Sequence, residues 1–348
     1  MSILCLHPIR LNGKFEGMQN GSAPMKQAWK DELPVSDLPE DPRWRENFCF
    51  DGYDKDRDVG FWIHCGRWSL DSRIWREQVL VYLPGGDYLV HRAWGFRPSD
   101  SGPRAALLDL ICEEPEKRWK IRYRGPARRT TQDEVQAGLL PEGDQLLLDM
   151  DIGFSTDRPM WDMTGGMRDQ AWGKFHTEQT GRFQGSIRYG DQATTMDGLG
   201  WHDHSRGARD IGEQGRHLWI HGDISKGRSF ALTMIENYRD GAFVRVLDKV
   251  VVWDGNRIYE ARCRNPPFLE SSDLPPTNYE MTLEYEGDTV LIRAEQRRKL
   301  PHSTTRYFEV FDGRAPKGMA QVVTYEGGTV FFVDGEELNG HSERSYRL

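Results

Sequence analysis

Apolar residues along this chain recur at alternate positions, in short runs broken by glycine, proline or aspartate. The clearest run is Gln145–Phe154, with Leu146, Leu148, Met150, Ile152 and Phe154 on one face and Asp149 and Asp151 on the other. A period of two is that of a half-buried β-strand, because successive side chains leave opposite faces of the pleat. Gly60–Trp68 reads the same way: Phe61, Ile63 and Cys65 share one face, and Trp62, His64 and Trp68 the other. The first half adds strands at Gln78–Leu83, Asp87–Trp94, Ala106–Glu113 and Arg118–Tyr123. The second half begins with His176–Thr180, Arg182–Tyr189 and Gln192–Met196, and continues with His217–Asp223, Phe230–Glu236 and Val244–Trp253. The pattern then runs on to Glu343–Arg347. Pro84-Gly85-Gly86 and Asp254-Gly255-Asn256 are hairpin signals.

Residues 1–43, with Leu33-Pro34, Leu38-Pro39 and Asp41-Pro42, are expected to form an irregular arm. Residues 156–173 interrupt the alternation with Pro159 and Gly165-Gly166, and read as a connection with a short helix around Gly166–Trp172. The expected organisation is therefore a β domain over 44–155 and a second over 174–348. No fixed repeat is present, which excludes a propeller or a solenoid. The fold class is all-β, with two tandem antiparallel sandwich or open-barrel domains.

Composition narrows the function. The chain has 348 residues with 36 glycines and 12 tryptophans, as suits a turn-rich β protein with room for a large core. A net charge of −8 argues against nucleic-acid binding, which needs clustered Lys and Arg. Cys5, Cys49, Cys65, Cys112 and Cys263 are odd in number and lack C-x-x-C spacing, so neither a disulfide framework nor a zinc ribbon is implied. No apolar run has signal-peptide or membrane-span length, and the default expectation is a cytoplasmic protein without integral membrane association. There is no G-x-S-x-G elbow, P-loop, H-E-x-x-H or strand-linked G-x-G-x-x-G. No cofactor is expected on these grounds. Oligomeric state is not legible.

The chemistry concentrates in Asp197–Asp210, D-G-L-G-W-H-D-H-S-R-G-A-R-D. His202, Asp203, His204, Arg206, Arg209 and Asp210 fall within nine residues, between glycines and apolar strands. On an extended segment His202 and His204 face one side and Asp203 the other. Asp203 in an apolar cavity would be raised by desolvation and could act as a proton donor. His204 and His202 are its candidate partners, and Arg206 or Arg209 a holder of a substrate anion. The competing interpretation is a structural clamp, with Asp203 or Asp210 paired to Arg206 or Arg209. A cupin-like metal site is a further alternative: His202 and His204 share a face, and His176, Glu178, His217 or His221 could complete it. Candidate pocket walls are Trp219 and His221 on one strand, Glu236 at the end of an apolar row, Glu178, and Trp62 with His64. Such a mixture suits a hydrophobic small molecule held by few polar contacts.

Glu178–Gly185 together with Asp197–Asp210 resembles a superfamily of double lipocalin-like proteins that includes carotenoid 1,2-hydratases (hydroxyneurosporene synthases) and AttH-like proteins. Asp203, His204, Ser205 and Gly207 match the shared motif, whereas Arg206 stands where Trp is usual. The resemblance implies two lipocalin-like β domains over most of 44–347 and a hydrophobic pocket at or near their junction. It also implies that Asp203 protonates a double bond to give a carbocation captured by water. Arg206 removes an aromatic wall and adds a charge, which favours an oxygenated substrate. The expectation is a cofactor-independent hydratase or dehydratase, isomerase or cyclase for a hydrophobic isoprenoid, steroid-like or polyketide-like molecule. A non-catalytic carrier of lipophilic ligands is the rival from another class.

Overall fold

The computed structural model describes residues 31–138, 144–164, 173–316 and 318–348. The helix expected around Gly166–Trp172 and most of the N-terminal arm lie outside them. The described chain is nearly all β, in two antiparallel sheets.

The first sheet holds β1 (Trp44–Asp54), β2 (Val59–Arg67), β3 (Trp75–Tyr82), β4 (Tyr88–Gly95) and β5 (Leu108–Glu114). It continues with β6 (Arg118–Thr130), β7 (Gln145–Ser155), the short β8 (Trp161–Asp162), β9 (Phe175–Tyr189) and β10 (Gln192–Ala208). The strands run in the order β10-β1-β2-β3-β4-β6-β7-β9, and β9 pairs back onto β10. Eight strands thus form a ring, with β5 and β8 at its margin. At that strand number a barrel is just wide enough for side chains to fill. Here they do: Phe48, Phe50, Phe61, Ile63, Trp119, Ile152, Phe154 and Phe183 are all buried in its interior.

The second sheet begins with β11 (Gln214–Ile224), β12 (Arg228–Arg239), β13 (Ala242–Asp254), β14 (Arg257–Glu260), β15 (Arg262–Arg264) and β16 (Asn278–Tyr285). It ends with β17 (Asp288–Gln296), β18 (Leu300–Thr304), β19 (Val310–Asp312), β20 (Val322–Val333) and β21 (Glu336–Arg347). Its order is β14-β13-β12-β11-β21-β20-β17-β16-β15, with β18 pairing β20. Leu218, Ile220, Phe230, Leu232, Ile292 and Phe331 form its own core.

A third apolar layer joins the two sheets. Trp62, Tyr82, Trp201, Trp219, Trp253 and Val330, from both sheets, pack in one cluster. This layer explains why β1, β2 and β3 are buried on both faces. Even-numbered residues of β1 enter the barrel, and Cys49, Asp51 and Tyr53 face the second sheet.

Sheet membership departs from the division read from the sequence. β9 and β10, expected to open the second unit, hydrogen-bond into the first sheet, β10 along almost the whole of β1. The crossover to the second sheet falls between Ala208 and Gln214. The reason is pairing: β10 is a 17-residue strand that closes the ring, a long-range partnership that alternation alone does not reveal.

Candidate active site

The motif strand β10 runs between two environments. Its even-numbered side chains enter the barrel: His204 stacks on Phe48 at 4.0 Å and His202 on Phe50 at 4.5 Å. Its odd-numbered side chains Asp203 and Ser205 turn toward the second sheet and line a cavity of about 120 Å³, counted as room for the centres of water-sized molecules. The motif glycine has a backbone role. Gly207 has φ +139°, and a Cβ there would lie 2.5 Å from the Lys174 backbone nitrogen. That close approach lets Lys174 N–H donate to the Arg206 carbonyl at 2.9 Å.

Register places the partners of Asp203. On β9, Glu178 is opposite Asp203 and His176 opposite Ser205. His176 Nε2 contacts Asp203 Oδ2 directly and lies 3.1 Å from Glu178 Oε1. Glu178 in turn accepts from Trp219 Nε1 at 3.0 Å and from Thr233 Oγ1 at 3.4 Å, both on the second sheet. Arg209 Nη2 donates to Ser205 Oγ at 2.9 Å, and Ser205 Oγ to Asp203 Oδ1 at 3.4 Å. Burial by itself would lower His176. The charge of Asp203 and the hydrogen bonds to both carboxylates outweigh it and raise the imidazole to about 9. The proton between His176 and Asp203 therefore rests on the imidazole at neutral pH.

The remaining walls mix apolar and titratable groups. Trp62, Trp219, Phe308, Val310 and Val322 are among the apolar lining residues, and His64, His302, His217, Glu326 and Glu343 among the titratable ones. His64 Nδ1 lies 3.3 Å from the Arg76 guanidinium, which can only donate, so His64 is neutral. Burial first, then Arg76 and Arg209, push it well below the usual imidazole range. Glu343 lies 3.0 Å from His217, and His341 contacts Glu326.

Of the residues singled out by sequence, the cavity gathers Asp203, Arg209, Trp219, Trp62, His64, His176 and His217, with Glu178 behind His176. The others lie elsewhere. His204 is a core residue 3.2 Å from Glu46, and His202 is surrounded by Phe50, Trp119 and Phe154. Neither reaches Asp203, because they leave the opposite face of the same strand. Arg206 lies over Phe175 at 4.0 Å and 3.7 Å from Asp31, away from the cavity. His221 is between the sheets, 2.8 Å from Asp51 and stacked on Trp201. Glu236 forms ion pairs with Arg216 at 2.5 Å and Arg245 at 3.0 Å, because it follows Leu232 and Met234 on one face of β12, whereas the cavity is met by Thr233 on the other.

Alternation could not identify His176 as the partner of Asp203, a relation fixed by the β9–β10 register. Glu326, a lone carboxylate in the run Val322–Val333, carries a signal that the sequence reading passed over. Among the described residues the His202/His204 pair assembles no ligand set. Two other groups place one ligand atom each within 4.8 Å of one another: His176, Glu178 and Asp203, and Asp51, His221 and His341. Either could hold a metal ion through imidazole nitrogen and carboxylate oxygen.

Among solved structures, the chain is similar to CghA with Sch210972 (TM-score 0.55, 9% identity, 88% of this chain and 89% of that one). It is also similar to an AttH-type protein, NE1406, from Nitrosomonas europaea (TM-score 0.51, 12% identity, 91% and 99%). Kievitone hydratase from Nectria haematococca aligns at TM-score 0.46 and 9% identity, over 87% and 88%. At these identities the first two likenesses show the fold alone. No curated protein matches the chain. Among the described residues no helix is long and apolar enough to cross a membrane. A family model described as a domain of unknown function, DUF7064, matches residues 30–340, nine-tenths of the length, and the chain belongs to that family.

Proposed function

We propose that this protein is an acid–base enzyme acting on a compact, largely apolar small molecule held between the two sheets. Hydration or dehydration, isomerisation and cyclisation are the reactions that such a site suits. The observation that carries the reading is that the Asp203 carboxylate faces the inter-sheet cavity in direct contact with the buried His176. A carboxylate and an imidazole sharing a proton beside an apolar wall can give or take that proton at carbon or oxygen. Trp62, Trp219 and Phe308 would hold the hydrocarbon part of the ligand, and Arg209 is placed to meet an oxygen. CghA was solved with the small molecule Sch210972, which agrees with a small-molecule site on this fold.

The sequence reading casts Asp203 as a donor partnered by His202 and His204. In this proposal the partner is His176, and the two motif histidines support the barrel. Incubating the protein with a small-molecule extract in D2O, followed by mass spectrometry, tests the idea. Wild-type protein is expected to convert some compound, with gain or loss of water or uptake of deuterium. Asp203→Asn should slow that conversion by about 10²–10⁴-fold. Full activity in a folded Asp203→Asn protein would end the proposal, and tight binding without conversion would turn it into a carrier.

A further inference from the structure

Asp51 on β1 faces the second sheet, where His221 on β11 and His341 on β21 stand directly opposite each other across the paired strands. All three side chains are buried, and so is Glu326 beside them on β20. Each imidazole aims one nitrogen at the same carboxylate oxygen. His221 Nε2 is 2.8 Å from Asp51 Oδ1, and His341 Nδ1 is 3.5 Å from it. The far nitrogen of His341, Nε2, contacts Glu326 Oε1. A carboxylate only accepts, so that contact puts the imidazole proton on Nε2 and leaves a bare lone pair on Nδ1. That lone pair faces the Asp51 oxygen, acceptor against acceptor, and makes no hydrogen bond. Asp51 Oδ2 is likewise without a hydrogen-bond partner among the described residues.

We propose that Asp51, His221 and His341 bind one divalent transition-metal ion, zinc by preference, which ties the two sheets together. A cation between His341 Nδ1 and Asp51 turns the clash of acceptors into two coordinate bonds. In a tetrahedral zinc site, bonds of about 2.0–2.2 Å set neighbouring ligand atoms roughly 3.3 Å apart. The 3.5 Å gap matches that spacing, and the 2.8 Å contact of His221 would open slightly on loading. Charge points the same way. Among the described residues Asp51 and Glu326 have no arginine or lysine as ion-pair partner, only these imidazoles. Buried carboxylates need a paired charge or a metal, and a doubly positive ion balances both. Glu326 behind His341 completes a carboxylate–histidine–metal chain, which fixes the tautomer and makes the ligating nitrogen more basic. Asp51 Oδ2 is placed to supply a fourth donor from the same carboxylate.

The cluster of His176, Glu178 and Asp203 is built differently. There one imidazole nitrogen meets both carboxylates, and Ser205, Trp219 and Thr233 donate to their oxygens. Its ligand atoms are already engaged with one another and with hydroxyl and indole donors. None of Asp51, His221 and His341 lines the cavity; of this group only Glu326 reaches it. A centre closed to the cavity is of the structural kind, since a catalytic ion keeps a position open for substrate or water. Imidazole together with carboxylate in such a closed site suits zinc. The ion would join β1 of the first sheet to β11 and β21 of the second, independently of the acid–base reading above.

Elemental analysis and X-ray absorption of the wild-type protein, purified from zinc-supplemented cells without a histidine tag, test the proposal. Zinc should be present in stoichiometric amount, and its absorption spectrum should show two imidazole ligands. A single imidazole would put the ion at His176 and overturn the assignment without any variant having to fold. Wild-type protein that carries no zinc and takes up none on titration after growth in depleted medium also overturns it. In depleted protein the melting temperature should be lower, and added zinc should restore it. His341→Ala should abolish both uptake and restoration, whereas His176→Ala should keep them; the reverse result overturns the assignment. Glu326→Gln should weaken zinc binding by about 10–100-fold. Unchanged affinity in that variant would overturn the carboxylate–histidine–metal chain.

Discussion

His202 shows how far a residue's type can mislead about its task. It sits in the D-H-S-R-G neighbourhood yet is entirely buried in the barrel, and burial first, then His204, holds it at about 3. His221 is likewise held at about 3 by burial. A histidine kept neutral in the fold but free to protonate near 6.5 when unfolded gives stability that is complete above 6.5 and lost as pH falls toward 3. His176 has the opposite sign: raised to about 9, its contribution is complete below 6.5 and lost as pH rises through 9. Chemical denaturation between pH 6.5 and 3 should therefore show falling stability, with a shallower slope in His202→Phe by up to about one proton taken up on unfolding. An unchanged slope would place the sensitivity elsewhere. In the sequence these histidines look alike; only the register tells a core ring from a site ring.

At the level of elements, the strands themselves were legible and their partnerships were not. The alternation of β7 and of β2 is carried by the residues on each face, so their existence could be read directly. The pairing of β10 with β1 joins residues far apart in the chain, and no local signal encodes it, whereas its pairing with β9 is a hairpin turning at Gly190-Asp191. One local signal was present and passed over. Thr131 and Glu134 form a reciprocal capping box at the start of the helix α1 (Gln132–Ala137), with Thr131 N–H donating to Glu134 at 2.9 Å. Asp203 could be placed on a face opposite His202 and His204, which the structure shares, but the same alternation excludes those histidines as its partners. Gly207 gives the element its test. Replacing it with Ala puts a side chain against the Lys174 backbone at a positive φ, and should cost roughly 1–3 kcal/mol in urea denaturation. A neutral substitution would mean that the β9–β10 edge can relax.

For the whole molecule, the cluster between the sheets is the controlling feature. Trp62, Trp201, Trp219 and Trp253 meet there, and each sheet would expose a broad aromatic face without the other. The two sheets should unfold together. Far-ultraviolet circular dichroism and tryptophan fluorescence are expected to give coincident urea transitions, and two separated transitions would show the sheets to be independent. Because aromatic and aliphatic side chains fill the first barrel, binding is left to the facing outer surfaces of the two sheets. Selectivity on this scaffold can then drift by exchanging residues on facing exteriors, such as Phe308, Val310 or Thr324, while neither interior is repacked. A slight slide of one sheet over the other would reshape the pocket as a whole, so divergent members of such a fold could change their chemistry in few mutational steps.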